Sequence, residues 1–219
     1  GDRTITIIPS FINELGLHLS NTLPGVMAQI KMTPRPSYIP PLARNESDAI
    51  PSAVLMLLFE EEKKWSFFLM ERSNDVEYHR GQISLPGGAQ EKGEGLEGTA
   101  LREANEEIGI VPASVNMLGE ITPLFIPASG FRVHPFVGWS EMVPKVTIDS
   151  NEVAELHKVK VENLLDDSRM KQEQREIRGF NVNVPYFHLN QLKVWGATAA
   201  ILSECKDIFS KCYLMENTL

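Results

Sequence analysis

Apolar positions in this chain fall into short blocks, and their spacing switches between the periods of helix and strand. Thr4 to Ile8 alternates weakly and predicts at most a short strand. From Ser10 onward, Phe11, Ile12, Leu15 and Leu19 line one face of an amphipathic helix. Pro34, Pro36, Pro40, Pro41 and Pro51 then exclude regular helix or central strand and predict a connector running over the surface. Residues 1–51 therefore read as a helix and Pro-rich connector packed on a domain formed by residues 52–219.

In that domain Ala53 to Phe59 is a continuous apolar run, Glu60 to Lys64 a charged turn and Trp65 to Met70 a second strand, together a hairpin. Arg72 to Arg80 is polar and irregular, and Gln82 to Leu85 is a short extended piece before Pro86-Gly87-Gly88. Leu96, Ala100, Leu101, Ala104 and Ile108 give a helix, stopped by Gly109 where a left-handed residue is wanted. Strands follow at Val115 to Thr122 and Val133 to Trp139, separated by a loop over Pro123 to Arg132. Further strands are predicted at Glu155 to Val161 and Val182 to Phe187, with a helical turn near Asn163 to Asp166 and a charged segment at Met170 to Arg178 between them. Gly196 to Cys212 is a closing helix. Strands interleaved with two substantial helices predict an α/β (α+β) domain with a mixed sheet covered on both faces.

The helix over 96–108 carries the chemistry. Glu103, Glu106 and Glu107 fall within roughly 100° of arc on it. Carboxylates this close repel unless a positive charge sits among them, and Arg102 cannot neutralise all three. A hard divalent cation such as Mg²⁺ can, since it prefers oxygen ligands and shares them with phosphates. The competing reading is a solvated acidic face, as most charge runs are. It loses ground because Gly88 and Glu94 stand at fixed distances upstream.

That spacing, G-x5-E-x7-R-E-x-x-E-E-x-G plus an apolar residue, runs from Gly88 to Ile110 and resembles the Nudix box at every fixed position. Ala104 stands where the family usually has a larger aliphatic residue. The resemblance implies a Nudix-like α/β/α sandwich that uses Mg²⁺ or Mn²⁺ to cleave a nucleoside diphosphate linked to another group. It implies Glu103 and Glu107 as principal metal ligands, Glu106 as an additional or water-mediated one, and Gly88 as a source of a backbone carbonyl. Glu94 would be outer support and Arg102 an electrostatic brace. The general base in this family often lies outside the box; Glu152 in Asn151-Glu152-Val153-Ala154-Glu155 is the candidate, against its being a surface glutamate at the start of a strand.

Flanking segments resemble the coenzyme A pyrophosphatase branch. Arg72, Ser73, Gly81, Ile83, Ser84 and Pro86 to Gly88 match its upstream motif, while Phe68, Met70, Glu77 and Leu85 depart from it. Ser129-Gly130-Phe131, Asn151 to Glu155 and Trp195 to Leu202 match downstream. The branch implies coenzyme A or acyl-CoA as substrate, cut to 3′,5′-ADP and (acyl-)4′-phosphopantetheine, with Arg72, His79, Arg80 and Gly87 as substrate contacts. For the three basic residues the alternative is solvation or pairing with Asp75 and Glu77. Glu77 stands where the branch has an arginine, a sign reversal that bears directly on phosphate binding. Other substrates (ADP-ribose, dinucleotides, nucleoside triphosphates) keep the chemistry and change the cleft, and a non-catalytic ligand-sensing module is the reading of another class.

Composition narrows the partners. A formal net charge of −8 without a basic run excludes a nucleic-acid substrate but not a small nucleotide. No apolar stretch is long enough to span a bilayer and no signal-peptide pattern begins the chain, so a cytoplasmic protein without membrane association is expected. Cys205 and Cys212, two turns apart on the closing helix, predict core thiols rather than a disulfide. Homodimers are common in the resembling family, which makes a homodimer the expected assembly if there is one.

Overall fold

The computed structural model describes residues 7–35, 44–74, 82–177 and 179–216. Its elements run α1 (Ser10–Ser20), α2 (Val26–Ile30), β1 (Ile50–Glu61), β2 (Lys64–Arg72), β3 (Ile83–Ser84), β4 (Gly87–Ala89) and α3 (Leu96–Ile108). They continue with β5 (Asn116–Glu120), β6 (Leu124–Ile126), β7 (Phe131–Trp139), β8 (Val153–Lys160), α4 (Val161–Leu165), β9 (Met170–Ile177), β10 (Phe180–Leu189), β11 (Leu192–Val194) and α5 (Gly196–Glu216).

β1 is the spine of a mixed sheet. Its first nine residues pair in parallel with β7 and its tip pairs antiparallel with β2, so the order is β3-β2-β1-β7-β5. β4 pairs with β1, β6 with β7 and β8 with β2, all antiparallel. Because side chains alternate across a strand, the apolar run in β1 serves two cores at once. Ala53, Leu55, Leu57 and Phe59 meet Ala100, Ala104 and Ile108 of α3 on one face. Met56 and Leu58 face the other way, toward Phe11 and Leu15 of α1 and Ile201, Cys205 and Phe209 of α5. β2 divides likewise, with Phe68 and Met70 toward α3 and Phe67 and Leu69 toward α5. This is the α/β arrangement with both faces of the sheet covered.

Phe11 anchors α1, its ring 5.2 Å from Trp65, 5.8 Å from Phe209 and 5.1 Å from Tyr213. Cys205 and Cys212 are both buried on the core side of α5. Among the described residues no helix is long and apolar enough to cross a membrane.

Several local expectations need correction. Pro51 lies inside β1, paired with Arg132; at the second residue of the strand, its missing N–H is tolerated. The expected loop over 123–132 contains β6, held by pairing with β7. The charged run from Met170 is strand β9, whose eight residues all pair with β10. It is the edge of a three-stranded sheet, where charged side chains remain in water and deter further pairing. The short helix α2 has no counterpart in the predicted elements. Leu101, expected in the apolar stripe of α3, is only half-buried, whereas Thr99 is fully buried beside the core alanines. Most of Thr4 to Ile8 and the middle of the Pro-rich connector lie outside the described residues.

Candidate active site

Three structural devices bring carboxylates together. The first is the end of α3. Gly109 adopts φ 75°, and its N–H bonds the carbonyls of Ala104 and Asn105. The carbonyls of Glu107 and Ile108, left without helical donors, accept from Asp149 N at 2.9 Å and Thr147 N at 3.0 Å. A Cβ on residue 109 would come within 3.0 Å of the Thr147 nitrogen, so glycine serves both the turn and this approach. The segment held there turns at Asp149, which accepts from the backbone N–H of Glu152 and Val153, and it leads Glu152 to the helix.

The second device is β4. The Gly87 N–H donates to Glu107 Oε1 at 2.7 Å, and a Cβ on Gly87 would strike the backbone of Ala53 and Val54. At Gly88 a Cβ would sit 2.6 Å from the Glu103 carboxyl carbon. The paired glycines let this strand lie directly against the two glutamates.

Arg102 is the third. Its Nε and Nη2 bind the two oxygens of Glu94 at 2.9 and 3.0 Å, while Nη2 also donates to the Ala89 carbonyl at 3.0 Å. Its Nη1 reaches Glu103 at 3.0 Å and Glu106 at 3.1 Å. Glu94 itself accepts from the Thr99 hydroxyl and the Glu91 N–H. The Arg102 guanidinium, together with those donors, holds the Glu94 carboxyl down to about 2, and Glu94 in turn raises the Arg102 pKa above its ordinary value. The pair forms a fixed bracket under α3.

Carboxylate oxygens of Glu103, Glu107 and Glu152 consequently lie within 4.8 Å of one another. Glu107 has no exposed side-chain surface. Desolvation raises its pKa to about 8, against the lowering effects of Arg72 and the Gly87 N–H and with repulsion from Glu103 and Glu152 adding to the rise. Burial likewise raises Glu103, against Arg102. Buried acids facing one another suit a hard divalent cation, which supplies charge beyond that of Arg72 at Glu107 and of Arg102, which Glu103 shares with Glu94 and Glu106.

The expected residues thus separate. Glu103, Glu107 and Glu152 come together; Glu106 does not join them, its side chain being half-exposed and turned to Arg102. Glu94 stays behind Arg102. Arg72 donates to Glu107 Oε2 at 3.3 Å and to the Gly87 carbonyl at 3.0 Å, so it and Gly87 are both engaged in holding Glu107. His79 and Arg80, with Glu77, lie outside the described residues. All three clustered glutamates line a cleft of about 520 Å³ together with Arg72, Gly87 and Gly88. The lining also includes Lys193, which sequence reasoning did not single out, and Ser84, a match to the upstream motif whose buried hydroxyl has no hydrogen-bond partner among the described residues. Trp195 lines the cleft too; its match to a family motif was the only hint.

Comparison with known proteins accounts for this arrangement. The family model described as NUDIX domain matches residues 49–178, more than half of the chain. The chain belongs to the Nudix family. It is 32% identical over 169 residues to the uncharacterized Nudix hydrolase NudL of Photorhabdus laumondii, covering 76% of this chain and 89% of that protein. It is 33% identical over 180 residues to Nudix hydrolase 15, mitochondrial, of Arabidopsis thaliana, covering 78% of this chain and 63% of that one. Among solved structures, a Caenorhabditis elegans Ap4A hydrolase binary complex superposes with a TM-score of 0.50 at 15% identity, over 78% of this chain and all (100%) of that one, which shows a shared fold. The protein is therefore a Nudix hydrolase, an enzyme acting on pyrophosphate bonds, and Nudix hydrolases generally need divalent metal ions.

Proposed function

We propose that this Nudix hydrolase cleaves the pyrophosphate of coenzyme A or acyl-CoA with Mg²⁺ or Mn²⁺, giving 3′,5′-ADP and (acyl-)4′-phosphopantetheine. The observation that carries the reading is the make-up of the cleft. A carboxylate cluster sits in a cavity otherwise walled largely by apolar side chains, including Leu85, Ile126, Phe131, Val133 and Ile201. A diphosphate at the cluster then has an apolar surface beside it for a long, uncharged arm such as pantetheine and its acyl chain. The matches to the coenzyme A branch at Arg72, Ser73, Ile83, Ser84 and Trp195 to Leu202 support the same choice.

In this reading Glu103, Glu107 and Glu152 would hold the cation, with Glu106 available to it only through water and with Arg102, itself fixed by Glu94, positioning Glu103. When bound, the cation neutralises charge on the phosphoryl oxygens and favours ionisation of water. Arg72 and the Gly87 N–H keep Glu107 in place, and the charge of a cation there would favour its ionised form. Glu152, on the loop side of the cluster, takes the proton from the attacking water. One P–O bond of the bridge breaks, and each phosphorus leaves as a phosphate monoester.

The test is a panel of coenzyme A, acyl-CoAs, ADP-ribose, dinucleotides and nucleoside triphosphates, each with Mg²⁺ or Mn²⁺ and with products resolved by chromatography. The expected result is 3′,5′-ADP from coenzyme A or an acyl-CoA at the highest kcat/KM. Faster turnover of ADP-ribose or a dinucleotide would keep the reaction and reject the substrate.

A further inference from the structure

Beside the carboxylate cluster, the cleft wall carries a second charged group with no part in the cleavage just described. Lys193, on β11, and Trp195, just after it, both line the cleft, with the Lys193 side chain 54% and Trp195 38% exposed. From outside the cleft wall, the guanidinium of Arg175 on β9 stacks 4.6 Å from the centre of the Trp195 ring. Glu173 ties the group together, accepting from Arg175 at 2.6 Å and from Lys193 Nζ at 2.7 Å. Two cations share one carboxylate, so the group keeps a net positive charge.

That surplus has a use in this cleft. Among the described residues, the cations lining it are Arg72 and Lys193. Arg72 is already bound to Glu107 and Gly87. Lys193 is paired too, with Glu173, but its side chain is 54% exposed against 15% for Arg72, so a ligand whose diphosphate occupies the cluster and which bears another phosphate elsewhere meets Lys193 as its accessible cation. Trp195, its orientation fixed by Arg175, offers an aromatic surface two residues away. A cation beside a fixed aromatic ring matches a nucleoside with a phosphate on its ribose.

We propose that Trp195 and Lys193 form the subsite for a phosphorylated nucleoside, Trp195 stacking on the base and Lys193 pairing with the ribose phosphate, while Arg175 and Glu173 position them. This rests on the coenzyme A reading above and deepens it, because the ribose 3′-phosphate separates coenzyme A from ADP-ribose and ordinary dinucleotides.

The test is equilibrium titration of the whole chain with 3′,5′-ADP and with 5′-AMP, by calorimetry in Mg²⁺. Wild type is expected to bind 3′,5′-ADP about tenfold more tightly than 5′-AMP, as one charge-assisted contact allows. Lys193→Met should abolish the difference and Lys193→Arg should retain it. Trp195→Leu should weaken both ligands by about tenfold, the scale of one stacking contact. Equal wild-type affinities, loss of both ligands alike in Lys193→Met, or no effect of Trp195→Leu would overturn the subsite. Turnover of coenzyme A without the 3′,5′-ADP preference would reject the subsite alone. The preference without turnover of coenzyme A would keep the subsite and reject the substrate reading.

Discussion

At the scale of single residues, the site depends on groups that have no side chain to contribute. Gly88 is the sharpest case, since any Cβ there would meet the Glu103 carboxyl at 2.6 Å. Gly88→Ala should lower kcat/KM by about 10- to 100-fold, the range found when supports of a metal site are disturbed. The clash is with the movable end of a side chain, so thermal denaturation should shift by only a few degrees; unchanged kinetics would show that Glu103 needs no such approach. The glycine and glutamate spacing made these residues legible in sequence. The partition among them was not. Glu106 and Glu107 are adjacent on one helix, yet one is buried against Gly87 and Arg72 and the other turned to Arg102, a difference set by the backbone of β4. The motif at Asn151 to Glu155 makes Glu152 a candidate, but its position beside Glu103 and Glu107 follows from the bonds of residues 147 and 149 to the carbonyls at the end of α3, which local sequence does not give.

Among elements, α5 does more than close the core. Its buried Glu204 accepts from the Gly25 N–H at 2.6 Å, the Thr122 N–H at 2.9 Å and the Thr122 hydroxyl at 2.7 Å. Ser203 donates to the Ala28 carbonyl at 2.6 Å, so α5 clasps the segment containing α2. Glu204→Ala strands buried donors and should cost about 2–4 kcal/mol in denaturant unfolding. A loss below about 0.5 kcal/mol, typical of a surface change, would contradict the clasp. Long elements with one dominant period, α1, α3, β1 and α5, could be read from the sequence because burial enforces the pattern. Strand β9 could not, since an edge strand of charged residues takes its conformation from β10 rather than from its own composition. The short helix α2 is similarly defined by what it docks on, with Gln29 bonding the Thr122 carbonyl at 2.9 Å.

For the whole molecule, the proposed metal site predicts that the acidic cluster links stability to pH and to metal. A carboxyl raised above its ordinary value stabilises the fold while protonated. The contribution of Glu107 is therefore full below its ordinary pKa of 4.5 and is lost as pH rises through about 8. Metal-free protein should lose thermal stability across that window, and the Glu107→Gln variant should lose less. A cation favours the ionised cluster and reverses the trend. Saturating Mg²⁺ should raise Tm by about 5–10 °C at pH 8 and by less at pH 6. An equal gain at both pH values, measured by calorimetry, would contradict this coupling.

The central claim is that Glu103, Glu107 and Glu152 share one divalent cation in the cleft. Titration of Mn²⁺ followed by electron paramagnetic resonance tests it most directly. Wild type should bind Mn²⁺, and Glu107→Gln and Glu152→Gln should each weaken binding by more than about tenfold, whereas Glu106→Gln should weaken it less. Wild-type affinity in the Glu107→Gln protein, with its fold intact, would contradict the account.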